Sequence, residues 1–166
     1  CRMVYNGAMV ERWGFVPLTD AEFHYLAKQF SRIAVPEQVL LAEINGQTVG
    51  FALTVPDVNE AIRPLHGRLF RYGLPINLIR LLWRMRRVKA ARVVGLAILP
   101  GYRRRGVAEL LIYYTLEFGK RILGLSEGEL SWTLEDNHEI NKVLEAVGAR
   151  RYKLYRIYER SLEGGD

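Results

Sequence analysis

The chain has 166 residues, enough for one domain around one core, and its 49% hydrophobic and 25% charged content is ordinary for a globular protein. No apolar run approaches the length of a membrane span, no signal-peptide pattern opens the sequence, and the single cysteine, Cys1, excludes an internal disulfide and a cysteine-rich metal site. The formal net charge of +6 is regional: residues 61–108 hold twelve Lys and Arg and no acidic residue, leaving twelve basic and eighteen acidic residues elsewhere.

In chain order, Tyr5, Val10 and Trp13 suit a short helix that runs into a loop at Gly14. Thr19-Asp20-Ala21-Glu22 is a capping-box signature, and Phe23, Leu26, Ala27, Phe30 and Ile33 recur behind it at helical spacing. A helix from about Asp20 to Ile33 is expected, buried on that face. Val39 to Ile44 reads as a strand, Asn45-Gly46 as a two-residue hairpin turn, and the alternation of Val49, Phe51, Leu53 and Val55 as the antiparallel partner. Pro56-Asp57-Val58-Asn59 ends that strand, and Ala61 to Gly73 reads as irregular and basic. Pro75 opens a further helix at its first position, with Ile76, Ile79, Leu82 and Trp83 as the buried face. Arg80, Arg84 and Arg87 fall at i, i+4 and i+7 and form a basic stripe beside it.

Val93 to Leu99 is a buried strand, and Val107, Leu110, Leu111, Tyr114 and Phe118 define an amphipathic helix. Glu129 to Leu134 is strand-like. Glu135-Asp136-Asn137 starts a short helix with Ile140, Val143, Leu144 and Val147 inward, Gly148 stops it, and Arg151 to Tyr158 gives a last strand. The expected architecture is mixed α/β: a central twisted mixed sheet flanked by helices, with residues 61–90 a basic helical insertion. The strands ending at Leu99 and Leu134 would pair in parallel through a right-handed helical crossover.

The most informative segment joins the third strand to its helix: Ile98-Leu99-Pro100-Gly101-Tyr102-Arg103-Arg104-Arg105-Gly106-Val107-Ala108. Backbone N–H groups at a helix N-terminus lack intrahelical partners, and the helix dipole there favours anions. Gly106 allows close backbone approach and small Ala108 keeps the helix start open. A solvated basic tip is the alternative.

The pattern Arg103-x-x-Gly106-x-Ala108 resembles the acyl-CoA pyrophosphate loop of the GCN5-related N-acetyltransferase (GNAT) family. The element order resembles that fold across nearly the whole chain. The resemblance implies acetyl-CoA or another acyl-CoA as co-substrate, held by Arg103, Arg104, Arg105, Gly106, Val107 and Ala108. It also implies main-chain contributions from Leu96, Ala97, Ile98 and Leu99, which would pair with the pantetheine arm and thioester carbonyl beside a bulge, and a contact from Asn137. Val143 to Ala149 aligns with a family segment that often carries a tyrosine acid; Leu144 stands in its place.

Acyl transfer also needs a route for the amine proton and one for the leaving thiolate. Candidate bases are Asp57 and Glu135, each after a strand, with Asp136 instead suited to an N-cap and Asp57 to shaping a turn; an ordered water is the alternative. Tyr155 is the preferred candidate acid, with Tyr113 and Tyr152 as substitutes, although tyrosines on such elements more often belong to the core. The three histidines lack metal-ligand spacing, and no metal is expected. Tyr5-Asn6, Trp13 to Pro17, Pro56 to Asn59, Ser131-Trp132, Leu134 to Asn137 and Tyr152 to Tyr158 resemble a poorly characterised bacterial acetyltransferase-like group with an additional N-terminal domain. The chain would be the C-terminal part of such a protein, cytoplasmic, acylating an unidentified amine in a ternary complex and contacting that missing domain. The alternatives are an inactive CoA-binding module and a basic domain that attaches to nucleic acid or a membrane surface.

Overall fold

The structure, a computed structural model, describes residues 1–10, 14–70 and 74–158. Helix α1 is Arg2–Met9 and α2 is Asp20–Phe30. Thr19 caps α2: its hydroxyl accepts from the Glu22 N–H, and the Glu22 carboxylate accepts from the Thr19 N–H. That pair of bonds, the backbone one first, draws the Glu22 carboxyl below its ordinary range. The helix stops three residues earlier than its apolar spacing suggests and buries little, since Leu26 and Ala27 are exposed while Phe23 and Phe30 are half-buried.

Strands β1 (Val39–Ile44) and β2 (Gln47–Pro56) form the hairpin, with Asn45 and Gly46 both in the left-handed region that this turn demands. Asp57 caps a short helix α3, Val58–Ile62, followed by a tight turn at Arg63–Leu65, so the start of the basic segment is ordered and not irregular. Helix α4 is Ile76–Met85, with Pro75 one position before it as the cap. Strand β3 is Ala90–Ile98, helix α5 is Val107–Arg121, strand β4 is Glu127–Glu129 and helix α6 is His138–Ala146.

The sheet order is β1-β2-β3-β4, antiparallel except for the parallel β3–β4 pair. Alternating side chains divide the core into two layers. Phe51 and Ala97 pack with Val4 and Ala8 of α1, while Ala52, Leu96 and Ile98 pack with Val107 and Leu111 of α5.

Three expectations fail at the C-terminal side. The fourth strand covers residues 127–129 and not 129–134, because Ser131 at φ 60° turns the chain out of extended geometry. Residues 150–158 join no sheet among the described residues: the segment that would pair with them has already left strand geometry. On α6, Ile140, Val143 and Leu144 are half-buried, but Val147 is exposed.

Candidate functional site: a forked sheet and an open helix start

Strand β3 is anchored to β4 at its beginning only, from Ala90↔Glu127 to Arg92↔Glu129. Beyond Arg92 its edge facing away from β2 has no strand partner among the described residues. The divergence coincides with a bulge: Leu53 pairs with Gly95 and Thr54 with Val93, so Val94 is surplus on β3. The result is a fork, with those main-chain donors and acceptors of residues 93–98 that face away from β2 along one arm.

Arg92 and Glu129 pin its apex. Both Nε and Nη2 of Arg92 donate to one oxygen of Glu129, at 3.1 and 2.6 Å. The hydrogen bond to Glu129 holds the Arg92 guanidinium above its ordinary pKa. The sequence reading missed this pair; the only signal was two opposite charges at the starts of neighbouring expected strands, Arg92 one residue before Val93 and Glu129 the first of its own. Beside the apex a cavity of about 200 Å³ is lined by Gln38, Thr54, Val93, Thr115 and Leu130, among others. The Gln38 Oε1 and the Thr54 and Thr115 hydroxyls are buried there with no partner among the described residues, three polar atoms in a mostly apolar space roomy enough for ordered water.

At the other end of β3, the Leu99 N–H donates to Val49 O, and Pro100–Tyr102 makes one tight turn. Arg104 and Gly106 both take positive φ, 59° and 76°. The non-glycine example costs on the order of 1 kcal/mol. Gly106 is the N-cap of α5, with no heavy atom within 4 Å of where a Cβ would stand, so open space lies over the helix start. From Arg104 to Glu109, no backbone N–H meets an acceptor among the described residues; the next, Leu110, closes the first helical bond to Gly106 O. Six consecutive amides are left for a guest, at the positive end of a 15-residue helix.

The arginine side chains of this loop are engaged elsewhere. Arg103 donates to Ala8 O at 2.8 Å, at the negative end of α1, and so ties the loop to that helix. Arg104 pairs with Glu139 on α6, and Arg105 lies over the Tyr102 ring at 5.2 Å. Val107 is buried in the α5 layer, and Ala108 is half-buried beside it. Leu96, Ala97, Ile98 and Leu99 lie along the free arm of the fork, so the structure brings the two groups of expected cofactor residues to one strand–loop–helix unit.

The remaining candidates sit differently. Asn137 caps α6 by position, without a side-chain capping bond. Asn141, absent from the sequence reading, organises the preceding turn: its Nδ2 donates to Leu134 O and Glu135 O, and its Oδ1 accepts from the Thr133 hydroxyl. Asp57 caps α3, accepting from the N–H and the side-chain amide of Asn59. Glu135 accepts from Arg156 at 2.6 Å, with Arg151 nearby, and the Arg156 hydrogen bond draws its carboxyl below the ordinary range. A general base for neutral pH needs the opposite shift. Tyr113, Tyr152 and Tyr155 are exposed and not core residues, because the strand meant to bury the last two does not form.

The comparisons with known proteins bear on this unit directly. The acetyltransferase (GNAT) family matches over residues 5–149, from α1 to the end of α6. The chain belongs to that family. Membership gives the class name of that family, acetyltransferase. This GNAT chain is 34% identical over 164 residues to the bacterial ceramide synthase of Caulobacter vibrioides, covering 96% of the chain and 42% of that protein. It is 32% identical over 168 residues to protein YghO of Escherichia coli, covering 97% of the chain and again 42% of the relative. The chain thus spans about two-fifths of the length of the curated relatives it matches. In fold it resembles the aminoglycoside acetyltransferase AAC(6')-Iy, solved with a CoA-based bisubstrate analogue, at a TM-score of 0.58 and 20% identity over 96% of this chain and 91% of that one. Among the described residues no helix is long and apolar enough to cross a membrane, and no group of His, Cys, Asp and Glu could hold a metal ion.

Proposed function

We propose that this domain moves an acyl group from a coenzyme A thioester to a primary amine by direct attack in a ternary complex. The observation that carries the reading is the row of six unclaimed amides from Arg104 to Glu109, set at the end of β3, whose outer edge has no strand partner beyond Arg92 among the described residues. A diphosphate takes several N–H donors and favours the positive end of α5. The pantetheine arm would extend the ladder along the main chain of Leu96 to Leu99, where N–H groups also face the carbonyl oxygen as it gains negative charge. The arginines serve chiefly as braces: Arg103 fixes the loop on α1 and Arg104 fixes it on α6.

In the reaction the amine nitrogen attacks the thioester carbon, the carbon–sulfur bond breaks, and the thiolate leaves. The proton given up by the amine and the one taken by sulfur pass through solvent in this reading. Asp57 is occupied as a cap, Glu135 is held ionised by arginines, and Leu144 offers no proton. The acceptor class we propose is a long-chain amino alcohol, supported by the identity to a protein named a ceramide synthase.

Calorimetry with CoA, followed by thiol release from acyl-CoAs of increasing length against sphinganine, an aminoglycoside and a peptide amine, tests both parts. Saturable CoA binding with release that requires sphinganine is expected. No binding to any pantetheine compound overturns the transfer reading. Release with the aminoglycoside or peptide alone overturns the acceptor. Binding without release by the full-length protein assigns an inactive CoA module.

A further inference from the structure

Helix α4 is inside out. Its spacing predicts that Ile76, Ile79, Leu82 and Trp83 face the core, yet Ile79 is 65% exposed, Leu82 58% and Trp83 53%. The buried side chain is Asn77, whose amide donates to Arg68 O at 2.7 Å. The hydrogen bond satisfies the buried amide and so fixes the rotation of the helix, leaving the apolar face outward. Leu69, Phe70 and Leu74, just before α4 in sequence, are exposed as well.

Arg80, Arg84, Arg86 and Arg87 make no ion pair with any described residue. The Arg87 guanidinium lies 3.7 Å from the centre of the Trp83 ring. A groove of about 260 Å³ is lined by Ile79, Arg80, Trp83 and Arg84, so aliphatic, aromatic and cationic groups share one concavity. A partner for this surface must be apolar within and anionic at its rim.

We propose that α4 lies in the plane of an anionic lipid bilayer surface, with Ile79, Leu82 and Trp83 among the acyl chains and Arg80, Arg84, Arg86 and Arg87 on headgroup phosphates. An interfacial helix of this kind has a strong apolar face, a basic polar face and tryptophan at the boundary. Nucleic acid matches the charge but offers no apolar medium to Ile79 and Leu82. A second copy would set four arginines of one helix against four of the other, in a region with no acidic residue from 61 to 108. The amino end of β3 follows α4, and the amide row follows its carboxyl end, about 25–30 Å along the strand. Docking at α4 therefore leaves the helix start of α5 open to a water-soluble ligand.

Flotation of the full-length natural protein with phosphatidylcholine vesicles, and with the same vesicles containing phosphatidylglycerol, tests the proposal. Binding to the anionic vesicles alone, weakened by salt, is expected. Arg80→Gln with Arg84→Gln should weaken it about thirtyfold. Ile79→Ser with Trp83→Ser should also weaken it while the thermal midpoint and CoA binding stay unchanged, since these side chains face solvent. The proposal is overturned by absence of vesicle binding, by equal binding to neutral vesicles, or by binding that survives both double variants. It is overturned too if duplex DNA displaces the vesicles and the apolar variant still binds that DNA as wild type does. CoA titration of the same proteins reports separately on the transfer reading.

Discussion

Two stretches of this chain are rich in arginine, and the fold uses them in opposite ways. In the loop before α5, Arg103, Arg104 and Arg105 are turned to the protein itself, onto a helix end, a glutamate and an aromatic ring. What remains open there is backbone. Along α4 the arginines have no ion pairs among the described residues, Arg87 alone lying on a ring, that of Trp83, and the apolar side chains beside them are largely exposed. A count of positive charges treats the two as alike. The difference lies in which groups the protein has already satisfied, and unsatisfied groups mark where a partner must supply the missing contacts.

The sharpest way to break this comparison is Gly106→Asp. No protein atom stands within 4 Å of the new Cβ, so the fold tolerates it at the cost of a strained φ. The carboxylate enters the space over the amides, and CoA affinity by calorimetry should fall about a hundredfold or more, with vesicle binding untouched. Next in size is Arg92→Met. The ion pair is partly exposed, so stability should drop by only about 1 kcal/mol. Loosening the apex misplaces the free arm, and kcat should fall about tenfold while the Kd for CoA barely moves. A smaller effect is expected from Arg104→Ala with Arg105→Ala. If backbone carries the anion, CoA affinity should fall less than about fivefold; a loss as large as that of Gly106→Asp would return the role to the side chains.

The smallest effect concerns acid stability. Arg156 and Arg151 lower the folded-state pKa of Glu135, so its contribution is present above the unfolded value and fades as pH falls through the folded one. Glu135→Gln should therefore lower the thermal midpoint at neutral pH, with a deficit that starts to shrink as pH falls below about 4.3 and closes only beneath the lowered folded-state value. Activity should change less than about tenfold, since a base role would cost more.

The features legible in the sequence are those in which one short stretch supplies both partners. Thr19 and Glu22 cap each other, Asn45-Gly46 fixes the hairpin, and Arg103 to Ala108 marks the loop. Illegible features depend on what a residue meets far away. The periodicity of α4 shows that a face exists but not what covers it, and Asn77 decides the rotation through Arg68. Alternation from Arg151 to Tyr158 suits a strand, yet a strand needs a neighbour, and Ser131 turns the chain away where one would have to be. The residues Val93-Val94-Gly95 do not by themselves announce the bulge that the family resemblance implied, because the misregister belongs to the pairing with Leu53 and Thr54 and not to either strand alone.

That one surplus valine sets the phase of the strand. On one side of it Val93 partners Thr54; on the other, Leu96 and Ile98 must reach the α5 layer while Ala97 reaches α1. Excising Val94 would restore a regular ladder and, with it, turn one half of the strand over, exchanging the tenants of the two layers. The molecule keeps both its interior and its opening only by being one residue out of step.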